Sequence, residues 1–152
     1  MKVCCFTGHR RISPAEQQQL IPRLTNEIEK MITQGVAVFR NGGALGFDTL
    51  AALCVLALRN KYPHIKLYID VPHKGQEERW SETDRAIYHS ILDRADKVTC
   101  LSESYYSGCM HTRNRHMVDR SDYVIAYVHH ARGGAYYTAA YAETTGKTIL
   151  YI

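Results

Sequence analysis

Short apolar runs of strand length alternate with longer segments of helical periodicity along the whole chain. Lys2–Phe6 is apolar and gives way to Thr7-Gly8, and Val36–Phe39 is broken by Asn41-Gly42-Gly43. Ile65, Leu67, Ile69 and Val71 alternate with Lys66, Tyr68 and Asp70, the pattern of a strand half exposed near a sheet edge, and Pro72 stops it. Lys97–Leu101, Tyr123–Val128 and Thr148–Ile152 complete the series. The intervening segments read as helices. Ser13-Pro14-Ala15-Glu16 has the form of a capping box with proline at the first helical position. Leu20, Leu24, Ile28, Met31 and Ile32 then recur at helical spacing, and Gly35 closes the segment. Leu50, Leu53, Cys54, Ala57 and Leu58 share one face of a second helix. A third is expected from Glu77 to about Leu92, with Trp80, Ile87 and Ile91 inward. A short fourth covers Met110–Val118, and Gly133-Gly134 opens a fifth that ends at Gly146.

This order has one economical solution. Strand–helix alternation implies right-handed crossovers, hence an α/β, Rossmann-like three-layer sandwich around a mainly parallel sheet of five to six strands. The 152 residues, 45% hydrophobic and 22% charged, suit one domain over 1–152. The net charge of +4 favours small anionic ligands and falls short of a dedicated nucleic-acid footprint. The five cysteines form no C-x-x-C pair, and Cys5, Cys54 and Cys100 sit in apolar runs, as buried reduced thiols of a cytoplasmic protein would. The first residues are too short for a signal peptide, and no run reaches transmembrane length, so no membrane partner is expected.

In such sheets ligands bind outside the carboxyl ends of the strands, where strand order reverses. The first strand is followed by Thr7, Gly8, His9, Arg10 and Arg11. A glycine admits a ligand close to the backbone, and the arginines offer rigid forks for phosphate or carboxylate. The alternative is a turn with two solvated arginines. The second strand leads to Gly42, Gly43, Ala44 and Gly46 at a helix start, where free N–H groups and the helix dipole attract anions. This turn matches neither the dinucleotide fingerprint nor the P-loop. Asp48 either complements the dipole or serves a ribose hydroxyl or a catalytic water. Gly133, Gly134 and Ala135 form a second candidate cradle, with Thr138 as a donor. Arg113 and Asn114 stand near the start of the fourth helix, where they could face the crevice. Tyr105 and Tyr106 offer a face for stacking on a base, or a packing contact. There is no nucleophile elbow, and Cys109, His111 and His116 fit no standard zinc spacing, so neither a metal nor an obligatory cofactor is expected.

Taken together, Thr7-Gly8-His9-Arg10, Gly42 to Asp48, Gln76 with Trp80, Arg113-Asn114 with Met117-Val118-Asp119 and Ser121-Asp122, and Gly133-Gly134 with Thr138 resemble the SLOG superfamily. The resemblance spans nearly the whole chain and is strongest to its YpsA-like branch of bacterial and phage proteins. It implies a Rossmann-like fold and a site for a nucleotide or nucleotide-sugar of the ADP-ribose, NAD or AMP type. It also leaves a homodimer open. The superfamily includes the LOG phosphoribohydrolases, which carry a P-G-G-x-G-T-x-x-E segment, and the DNA-processing protein DprA. Here Tyr136 and Tyr137 precede Thr138, and the position three beyond it is Tyr141 in place of glutamate. Glu143 lies two residues further on, turned by ~200° on a helix.

Three functions follow as alternatives. The first is binding or sensing of a nucleotide-derived ligand, with the base near Tyr105 or Tyr106, phosphates at the two glycine turns, and Arg10 and Arg113 neutralising charge. The second is hydrolysis of an N-glycosidic bond, with Asp48 the residue available for acid–base or ribose-positioning work. The third is binding of single-stranded DNA as in DprA, against which the modest charge and the lack of an aromatic-basic stripe both argue.

Overall fold

A computed structural model describes residues 1–152. Its elements run β1 (Lys2–Gly8), α1 (Pro14–Thr33), β2 (Val36–Asn41), α2 (Phe47–Leu58), β3 (Lys66–Val71), α3 (Glu82–Arg94), β4 (Lys97–Cys100), α4 (Cys109–Asp119), β5 (Tyr123–Tyr127), α5 (Gly134–Thr144) and β6 (Thr148–Tyr151). The six strands form one sheet in the order β4-β3-β2-β1-β5-β6, and every pairing is parallel. The α/β Rossmann-like architecture is therefore as expected, with six strands and no antiparallel member.

The helices divide by the direction in which the chain crosses the sheet. From β1 to β4 it steps one way, so right-handed crossovers put α1, α2 and α3 on one face. The return from β4 to β5, continued to β6, puts α4 and α5 on the other. Two apolar clusters record the division. The larger packs Phe6, Phe39, Ile69 and Ile125 of the sheet under Leu24, Ile28, Phe47 and Val55 of α1 and α2. The smaller joins Cys5, Val124 and Ala126 to Met117, Val118, Ala139 and Ala142 of α4 and α5. Each fully buried Leu, Ile or Phe contributes roughly 1.5–3 kcal/mol through lost apolar exposure, so the larger cluster dominates the drive to fold.

Three expectations are corrected. The third helix starts at Glu82, because Ser81 accepts from the N–H of Asp84 and caps it there. Trp80 precedes the helix and packs edge-on against Tyr88 with ring centroids 5.2 Å apart; Tyr88 and Ile91 are the buried residues of the helix. Asp70 does not face water: it is fully buried, held by Arg40 at 2.9 and 3.0 Å with His116 at 3.5 Å. Cys100 is exposed on the edge strand β4, and Cys109, at the start of α4, is buried. No helix is long and apolar enough to cross a membrane.

Candidate functional site

Strand order reverses between β1 and β5. A cavity of about 750 Å³ opens at this point, over the carboxyl ends of both strands. Its floor is Phe6, Thr7 and Gly8 of β1, continued by His9, Arg10 and Arg11. One wall is the β5–α5 connection, His129, His130 and Arg132, with Gly133, Gly134, Ala135 and Tyr137. A second wall is the first turns of α4, with Met110, His111, Arg113 and Asn114. Ala44, Asp48 and Glu16 close the remainder.

Three helices that line this cavity, α2, α4 and α5, start without a side-chain cap, and in α2 the N–H of Phe47 is taken up by the carbonyl of His9. The N-cap residues of α4 and α5 are Gly108 and Gly133, both at positive φ (91° and 89°), and neither end has a side-chain cap. No acceptor in the protein meets the N–H groups of Gly134 and Ala135. By contrast, α1 and α3 are capped by the hydroxyls of Ser13 and Ser81. Uncapped N–H groups and the positive ends of two helix dipoles, beside Arg10, Arg11 and Arg132, make a field suited to an anion.

The β2–α2 turn is built differently from the open cradle that its glycines suggest. Asn41 donates to the carbonyl of Asp48 at 2.7 Å and accepts from the N–H of Gly43 at 2.7 Å. The Asp48 carboxylate accepts from the N–H of Ala44 at 3.2 Å, and the N–H of Phe47 donates to the carbonyl of His9 at 3.0 Å. The N–H groups of Gly43, Ala44 and Phe47 thus already have acceptors, and of Gly42, Gly43, Ala44 and Gly46 only Ala44 lines the cavity. Its glycines are there for space. A Cβ on Gly42 would stand 2.6 Å from Cζ of Arg113, and one on Gly46 would collide with the carbonyl of Arg10. Gly8 is equally constrained, by the ring of Phe47.

Arg113 belongs to the same frame. It is buried, and its Nη1 donates to the carbonyl of Gly42 at 2.6 Å, with Asp70 O at 3.4 Å, while Nε donates to Asn114 at 2.9 Å. Gln76 donates to the same Gly42 carbonyl at 3.2 Å and to Tyr88 at 3.1 Å. Burial lowers the pKa of Arg113, and Asp48 opposes that shift. Burial raises the pKa of Asp48 above the ordinary carboxylate value, against the pull of Arg113.

The opposite side of the cavity is polar and partly open. Tyr127 donates to Oε2 of Glu16 at 2.7 Å, and its ring stacks on Phe47 at 5.6 Å. Burial first, then the Glu16 carboxylate, pushes the Tyr127 phenol up to about 12. The same hydrogen bond holds Glu16 below its usual value. Nε2 of His9 accepts from the N–H of His129 at 2.8 Å, and its ring stacks on His130 at 4.3 Å. Burial, then the neighbouring His130 and His129, keep His9 below an ordinary imidazole.

Thr7, Gly8, His9, Arg10, Asp48, Arg113, Asn114, Gly133, Gly134 and Ala135 therefore come together around one cavity. Thr138 does not join them, because its hydroxyl donates to the carbonyl of Gly134 at 2.7 Å and the side chain is buried in α5. Tyr105 and Tyr106 are exposed outside the cavity, with Tyr105 edge-on to His73; Tyr137 is the tyrosine on its wall. Glu143 also lies elsewhere, accepting from Tyr151. Sequence reasoning missed Glu16, Tyr127, His111 and His130. Glu16 read as a cap and Tyr127 as strand core, and both descriptions are true as far as they go.

The family model described as the YspA SLOG family matches residues 5–151. The SPbeta prophage-derived protein YoqJ of Bacillus subtilis is 31% identical over 140 residues, covering 84% of this chain and 82% of the relative. A UPF0398 protein of Halalkalibacterium halodurans is 34% identical over 139 residues, covering 80% and 69%. Among solved structures, DNA processing protein A of Helicobacter pylori, described for its single-stranded DNA binding mode, superposes with a TM-score of 0.67 at 22% identity. That match covers 99% of this chain and 64% of the longer one.

Proposed function

The chain belongs to the YspA SLOG family, and from that premise we propose that it binds a nucleotide or nucleotide-sugar in the cavity between β1 and β5. One observation carries the reading. The uncapped first turns of α4 and α5 converge on a cavity that also holds Arg10, Arg11 and Arg132. Phosphate oxygens would accept from the N–H groups of Gly134 and Ala135, with the arginines neutralising charge. Thr7 at the floor and Asn114 on the α4 wall are further donors. The volume of about 750 Å³ is ample for a nucleotide.

Binding without cleavage is favoured over hydrolysis. Asp48 is the carboxylate that a hydrolase reading relies on, and it is buried with one oxygen committed to the N–H of Ala44. Titration calorimetry with AMP, ADP, ADP-ribose, NAD and cyclic nucleotides, followed by assay of each mixture for free base, tests both readings. Heat with intact ligand supports a binder. Free base that disappears in Asp48→Asn would establish hydrolysis and displace the binding reading. An oligothymidylate is the third arm, since the Helicobacter pylori neighbour is described as binding single-stranded DNA. Oligonucleotide binding that falls steeply with salt, with no heat from any nucleotide, would replace the small-molecule reading.

A further inference from the structure

Glu16 is the anomaly of the cavity. The other cavity carboxylate, Asp48, is buried and hydrogen-bonded within its own turn. Glu16 lies in the first turn of α1, lines the cavity, and forms no ion pair with any lysine, arginine or histidine. Its Oε1 accepts from the N–H of Ser13 at 3.3 Å and its Oε2 from the hydroxyl of Tyr127 at 2.7 Å. An ionised carboxylate offers about four lone-pair sites, so roughly half of its capacity faces solvent and is open to a ligand that enters the cavity.

That remainder has a restricted use. An ionised carboxylate only accepts hydrogen bonds, and it repels phosphate. In a cavity otherwise supplied with arginines and free N–H groups, it can serve only a part of the ligand that donates. Its position is also preorganised. Tyr127 is buried, stacked on Phe47 at 5.6 Å and 12°, and edge-on to His129 at 4.3 Å. Glu16 itself is exposed to solvent, and the buried phenol holds one of its carboxylate oxygens at the mouth of the cavity.

We infer that Glu16 reads the hydroxyls of a sugar, and that the ligand class is a phosphorylated ribo-sugar with a free vicinal diol, in preference to a bare polyphosphate or a deoxy-sugar. The inference rests on the anion-binding reading of the same cavity. The phosphate would sit toward Arg132 and the start of α5, and the diol toward the start of α1. A nucleotide meets this description through its ribose, whatever base it carries.

The test uses probes without a base. Inorganic phosphate, ribose 5-phosphate and 2-deoxyribose 5-phosphate are titrated into the full chain, with amide chemical shifts as the readout. Wild type should bind ribose 5-phosphate about tenfold or more tighter than the deoxy-sugar, the scale of one charge-assisted hydrogen bond. Glu16→Ala should collapse that ratio toward one while holding or improving phosphate affinity. Loss of the helix cap would instead weaken all three probes together. Glu16→Gln retains an acceptor for Ser13 and should also reduce the ratio. Equal affinity for both sugars in wild type, or a ratio unchanged in Glu16→Ala, overturns the role of Glu16 and leaves the anion site standing. Failure of all three probes to bind removes the anion site and this inference with it.

Discussion

The guanidinium of Arg113 meets the carbonyl oxygen of Gly42 at 2.6 Å, bridging 71 residues of chain and fastening α4 to the β2–α2 turn. A residue type usually associated with ligand charge here serves buried backbone. Arg113→Met fills much of the same space but removes the shorter of the two hydrogen bonds to the Gly42 carbonyl, leaving that from Gln76, and also removes the contact to the Asp70 carbonyl. The expected loss is about 2–4 kcal/mol of unfolding free energy, measured by urea denaturation. An unchanged midpoint would show that the contact has no part in holding the fold.

The glycines of the two turns should separate in the same experiment. Gly46 has φ of 77° and no room for a Cβ beside the Arg10 carbonyl. Gly46→Ala should therefore cost at least about 2 kcal/mol, from backbone strain and steric conflict together. A Cβ at Gly134 would meet nothing within 4 Å, and the residue starts a helix. Gly134→Ala should leave stability unchanged or raise it by up to about 1 kcal/mol.

Gly134→Glu puts a negative group where the free N–H groups converge. Calorimetry with the best nucleotide of the panel should show at least a tenfold loss of affinity, with a melting temperature within a few degrees of wild type. Wild-type affinity in this variant would place the anion elsewhere.

Acid should loosen the fold through His9. Its folded pKa is lowered by burial and by His130 and His129, against an unfolded value of about 6.5. Above that value both states are neutral and the contribution to stability is complete. As pH falls below it, the unfolded chain takes the proton first, so stability declines until pH has passed through the folded value. Protonation also removes the acceptor that Nε2 offers to the N–H of His129. Urea midpoints at pH 7.5 and 5.5 should show the decline, and His9→Gln should make it shallower. His116, lowered by burial as well, contributes to the same slope.

The order of elements was legible because the strands are short apolar or alternating runs and every helix starts on a glycine or a serine. Asp70 was not. Its alternation with Ile69 and Val71 describes a wetted face, and only the register that sets Arg40 beside Tyr68 reveals a buried partner. The site was half legible. The segments after β1 and β5 lie where the strand-end rule puts them. The β2–α2 turn looks identical in sequence to an open cradle, yet Asn41 and Asp48 occupy the N–H groups of Gly43 and Ala44. Glycine spacing cannot distinguish a turn that receives a ligand from one that must clear Arg113. Glu16 and Tyr127, 111 residues apart, meet only once β1 and β5 lie side by side.

The crowded glycines of the β2–α2 turn and the uncrowded pair at the start of α5 also predict how this site can change. Substitution at Gly42 or Gly46 must disturb the scaffold before it alters recognition. Gly133 and Gly134 face open space, so side chains can be added at Gly134 and the neighbouring turn of α5 with little penalty to folding. One wall of the cavity is thus free to diversify while the other stays fixed, and descendants of a single ancestor could come to recognise different ligands through changes confined to a few residues around Gly134.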